Sequence, residues 1–135
     1  MGLSSNDDDI DAITLLPDGR LLVSTLGSYT VPGLSTGSDK HPLAFTPTGL
    51  GEETAGTWEL YFAGPDVGLT SDKEDISGAA VGVDGKIYLT TASTFSVAEV
   101  SGNREDVFVF NPATLGSPTS GVYDSSLFFQ GAPRG

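Results

Sequence analysis

Cysteine is absent from the 135 residues and histidine occurs once. Disulfide staples and thiolate metal sites are therefore excluded, although an absence of cysteine does not by itself choose a compartment. Positive charge is scarce: 6 Lys and Arg stand against 18 Asp and Glu, for a net charge of -12. Such a chain repels nucleic-acid phosphates and anionic lipid surfaces, so neither is an expected partner and cations are. No apolar run reaches the length a membrane helix needs. Helical periodicity is also missing, since Gly or Pro interrupts every segment of eleven residues that begins to keep a 3.6-residue period. What remains is rich in Val, Thr, Leu and Phe, with 18 Gly and 8 Pro spaced as turn punctuation. That is the composition of many short strands, in a chain long enough to bury roughly 70 % of its unfolded surface.

The chain is written twice. "DDIDAITLLPDGRLLVSTLGSYTV" returns roughly 66 residues later as "EDISGAAVGVDGKIYLTTASTFSV". The correspondence pairs Asp9-Ile10 with Asp75-Ile76 and Pro17-Asp18-Gly19-Arg20 with Val83-Asp84-Gly85-Lys86. After one dropped residue it pairs Phe45-Thr46-Pro47 with Phe110-Asn111-Pro112, Trp58 with Tyr123, and Leu60-Tyr61-Phe62 with Leu127-Phe128-Phe129. Two units follow, 1–66 and 67–135. The start, "MGLSSNDDDI", parallels "VGLTSDKEDI" at Val67 to Ile76, so it reads as the interior of a repeat cut from a longer parent.

Each unit predicts four strands. Strand A covers 10–16 or 76–83 and ends in an Asp-Gly turn that favours a hairpin. Strand B covers 20–31 or 86–97. Strand C covers 43–46 or 107–111 and stops at a proline, which has no N–H for a ladder. Strand D covers 57–63 or 126–130. The expected fold is all-β, two four-stranded antiparallel meander blades of a β-propeller; an eight-stranded β-sandwich or barrel is the alternative.

The stretch "DISGAAVGVDGKIYLTT" resembles blades of the NHL and SMP-30-type propellers, where a strand of small residues lines the axis before an Asp-Gly turn. The whole unit, through "FTPTGLG" and "GTWELYFAGPDVGL", resembles long repeats of secreted bacterial multirepeat proteins of unassigned function. These resemblances imply an extracellular or periplasmic parent. The SMP-30 likeness also implies a rival reading, a divalent-metal lactonase or other hydrolase, although the expected Asn and Glu metal ligands have no residue-by-residue match here. Two blades do not close a ring of four to eight. Self-association is expected, three copies giving six blades, or else completion by further blades of a longer chain.

Antiparallel order puts the D-to-A and B-to-C connections at one end of each blade. That end collects Asp7, Asp8, Asp9, Asp11, Asp39, Asp66, Asp72, Glu74, Asp75, Glu99, Glu105 and Asp106 against Lys40, Lys73, Arg104 and Arg134. Crowded carboxylates and no thiolate favour a hard ion, calcium first. Asp9, Asp11, Asp75, Glu105 and Asp106 are the candidate ligands, against the plainer reading of a solvated acidic rim. Trp58 and Tyr123, at the start of the outer strand, are candidates for stacking on a glycan. His41, in "SDKHPLAF", invites a Ser-His-Asp arrangement with Asp39, yet there is no G-x-S-x-G elbow and the second unit has no imidazole. The resulting expectation is a noncatalytic binding or display module, with a purely structural repeat array as a third reading.

Overall fold

The structure, a computed structural model, describes residues 2–4 and 6–131. Arg134 and the side chain of Asp7 lie outside the described residues. Strand β1 (Ile10–Leu15) turns into β2 (Leu21–Thr25), and β3 (Leu43–Gly49) and β4 (Ala55–Leu60) complete a four-stranded antiparallel meander. The second unit repeats it. Strands β5 (Ile76–Val81) and β6 (Ile87–Thr91) are followed by a small hairpin of β7 (Phe95–Ser96) and β8 (Ser101–Gly102), then by β9 (Phe108–Thr114) and β10 (Ser120–Tyr123). Its sheet has the order β10-β9-β6-β5. Short 3-10 turns at Asn6–Asp8, Gly64–Val67 and Asp72–Glu74 are the helical pieces among the described residues.

The Asp-Gly turns form as the sequence dictates. Gly19 and Gly85 take φ of 93° and 85°, which only glycine adopts without strain. Asp18 and Asp84 each accept the N–H two residues on, from Arg20 and Lys86, both at 3.1 Å.

Strand B is shorter than its composition suggests. Thr25 donates its hydroxyl to the Gly27 carbonyl at 2.8 Å and Thr91 does the same to Ser93 at 2.7 Å. These hooks compete with the ladder, so both B strands end there and the chain bends away. Strand C runs further than expected, through Pro47 and Pro112. β2 pairs only with Leu43 to Phe45 and β6 only with Phe108 to Phe110, so each proline lies where strand C has a single neighbour, and a missing N–H costs little. Strand D of the second unit is β10, earlier than expected. The predicted segment around Phe128 and Phe129 instead forms an isolated bridge with Val107, whose carbonyl accepts both N–H groups and whose own N–H donates to the Phe129 carbonyl. In the first unit Pro42 accepts from Tyr61 and Phe62 identically.

Among the described residues no ladder joins the two sheets, whose strand pairing with each other is only an isolated bridge of Phe62 with Gly116, so the closed-barrel alternative is not what this chain forms. They stack as neighbouring blades, with β5 lying against β1 and β2. Ser24 Oγ donates to the Ile76 carbonyl at 3.0 Å across that seam. Ala79, a small side chain on β5, packs against the shared core there. Leu16, Leu22, Ala44, Tyr61 and Phe62 come from the first unit, and Ile76, Ile87, Leu89, Phe108, Phe110 and Tyr123 from the second, to fill the space between the sheets. Phe62 meets Phe110 edge-on at 5.3 Å, and Phe95 lies flat on Phe108 at 3.9 Å. Each such side chain, fully buried, contributes about 1.5–3 kcal/mol. A smaller cluster of Tyr29, Val31 and Leu43, with Trp58 and Leu60 against it, covers part of the opposite flank of the first sheet.

Candidate functional site

The acidic end is where the β2-to-β3 loop meets the linker between the sheets, and its centre is a lysine. Lys40 Nζ lies 2.8 Å from Asp75 Oδ1, 3.4 Å from Asp39 Oδ1 and 3.9 Å from Asp72 Oδ1. The Asp75 contact is an ion pair outside hydrogen-bond alignment. Burial pushes the ammonium down, but Asp75 and Asp39 outweigh it and hold Lys40 above its ordinary range. Burial also raises the Asp39 carboxyl, helped by the neighbouring Asp75 and opposed by Lys40. Asp11 is raised in the same way by desolvation, against hydrogen bonding from Ser24, with Asp75 adding repulsion.

Of the five carboxylates expected to share a calcium ion, Asp11 and Asp75 lie close enough to repel each other, and the surroundings of the five differ. Asp75 is held by Lys40. Asp106 is fully buried and accepts the N–H groups of Asn103 at 2.9 Å and Gly131 at 3.0 Å. Glu105 is exposed and pairs with Arg104 Nε at 3.0 Å. Asp9 and Asp11 are exposed on the first unit. Among the described residues no three His, Cys, Asp or Glu side chains are grouped to hold a metal. The cation that the crowded charge calls for is supplied in part by the chain itself. In the sequence Lys40 is one of a few cations on this end, and nothing in the spacing announces that a loop residue reaches the linker.

Two further carboxylates counted in the acidic rim are buried fasteners. Glu74, 6 % exposed, accepts the N–H groups of Thr70, Ser71 and Ser96 at 2.9, 3.0 and 2.9 Å. Burial pushes its carboxyl up, but these donors prevail and hold it below the usual carboxylate range. Asp8, its counterpart in the first unit, is also buried and accepts from Ser4 N–H at 2.8 Å. The Ser71-x-x-Glu74 spacing is the signal that identifies such a fastener in sequence.

The aromatic candidates part company. Tyr123 is buried against Phe108 and Phe110, with ring centroids 5.7 and 5.0 Å away, so it is closed to a sugar. Burial, with Glu74 and Glu99 nearby, raises its hydroxyl well above the ordinary tyrosine range. Trp58 is half-buried, tilted on Phe45 at 4.7 Å, beside an open groove of 550 Å³ formed with Pro32, Gly33 and Thr54 to Thr57.

His41 lies in a turn of its own making. Its N–H donates to the Ser38 carbonyl at 2.9 Å and Ser38 Oγ is 2.9 Å from Nδ1. Burial lowers its basicity, offset in part by Asp66. In the second unit the equivalent turn runs from Asn103 to Asp106, closed by the same N–H to carbonyl bond at 3.0 Å. The imidazole thus occupies a turn-closing position that a carboxylate fills elsewhere in the same molecule. No protein-family model, characterised protein or solved structure matches the chain.

Proposed function

We propose that the chain is a noncatalytic binding or display module: a pair of propeller blades that completes a ring with like blades, three copies giving six, and presents its acidic end for recognition. One observation carries this reading. Ile13 and Leu15 are 58 % and 66 % exposed, while their counterparts in the repeat, Ala79 and Val81, are half-buried against the core. An apolar sheet face left open in this way marks an interaction surface. The hydrolase alternative rests on His41 or on a metal-holding carboxylate set. The first is engaged within its own turn and the second is spread over unrelated duties, so neither gains support from the geometry. Light scattering of the purified chain is expected to give three times 13.9 kDa. A mass of 13.9 kDa at every concentration overturns the reading.

A further inference from the structure

The two open flanks of the molecule are the two halves of an interface it already contains. In the second sheet, Val81 pairs with Ile87, Ile87 with Phe110 and Phe110 with Tyr123, and this row faces the first sheet. In the first sheet the equivalent row is Leu15, Leu21, Phe45 and Trp58, in the same register. Among the described residues no sheet faces it: Leu15 is 66 % exposed and Leu21 and Trp58 are half-buried, while Phe45, 3 % exposed, lies against the Trp58 ring. The surface that covers the second sheet's row is made by Leu22, Ala44, Tyr61 and Phe62 of the first unit. Its equivalent on the second unit is Tyr88, Val109, Phe128 and Phe129. Tyr88 and Phe128 rest edge-to-face at 4.9 Å, with Phe128 and Phe129 still 65 % and 57 % exposed.

Building on the blade-pair reading, we infer that a second copy of this chain docks head to tail, its Tyr88, Phe128 and Phe129 surface covering the Leu15, Phe45 and Trp58 row. The contact repeats the internal register, with Phe129 of one copy set over the exposed Leu15 and half-buried Trp58 that flank the buried Phe45 of the next. The occupant is a like blade because the internal interface shows which side chains this row accepts and in which register. Such an interface joins two different surfaces and leaves one of each free at the ends, so it propagates until rotation closes it into a ring. Pairing of two identical flanks would place two copies of the same row face to face, an arrangement with no counterpart inside the chain.

Leu15→Asp destroys one flank and Phe128→Asp the other, both at exposed positions. Each variant alone is expected to be a single chain of 13.9 kDa by light scattering, whereas an equimolar mixture forms a dimer and grows no further. Val83→Asp, at a turn residue 97 % exposed, is expected to assemble like wild type. If wild type assembles but Leu15→Asp assembles too, or the mixture stays single, head-to-tail docking is wrong while the blade reading survives. If wild type itself stays single, both fall.

Discussion

Phe110→Ala is expected to cost about 3–5 kcal/mol, a large part of the roughly 5–15 kcal/mol that holds a domain of this size together. Phe110 has no exposed surface and sits at the centre of the space between the sheets, touching Phe62 from the first unit and Tyr123 from its own. Truncation leaves a cavity walled on both sides by strands fixed in ladders, so little can collapse into it. The cleanest measurement is urea unfolding in the Leu15→Asp background, where the chain is expected to stay single and only the internal interface is read. Phe128→Ala in that background is expected to cost far less, because Phe128 is 65 % exposed with no sheet opposite among the described residues. Equal costs contradict the assignment of one surface as covered and the other as open.

Glu74→Ala is expected to cost about 3 kcal/mol, since hydrogen bonds to a charged acceptor are worth roughly 1.5–3 kcal/mol each and water replaces some of what is lost. The carboxylate joins the start of β5 to β7 through Thr70, Ser71 and Ser96. Its pH signature separates this role from plain packing. The folded pKa lies below the unfolded one, so the stabilisation is fully present above about pH 4–5 and is lost as pH falls through the folded value. The gap in melting temperature between wild type and Glu74→Ala is therefore expected to be widest near neutral pH and to close in acid. A gap that persists unchanged into acid contradicts the hydrogen-bonded carboxylate.

The fold was legible where the chain speaks through local chemistry. The Asp-Gly turns, the strand that follows each and the pairing of Trp58 with Tyr123 are all visible in the repeat. Strand ends were not. Thr25 and Thr91 end their strands through a hydroxyl hook that strand propensity counts in the wrong direction, and Pro47 and Pro112 are tolerated because of a neighbour's length rather than their own sequence. In the sequence the acidic residues read as one population. Tertiary structure sorts it into fasteners with N–H donors, Glu74 and Asp106, a lysine-held group around Asp75, and exposed charge such as Glu105. Only the first class has a local signature. Tyr123 was misplaced as a surface aromatic because a sequence does not say which of two equivalent rows a second sheet will cover.

Trp58 provides the most direct test of the claim that the open flank copies the buried one. It is the only tryptophan in the chain, and its counterpart Tyr123 is 6 % exposed within the covered row. As protein concentration rises through assembly, Trp58 emission is expected to move to shorter wavelength, while Leu15→Asp keeps the long-wavelength emission throughout. Emission that stays constant while the mass grows means that copies meet somewhere else, and contradicts the claim.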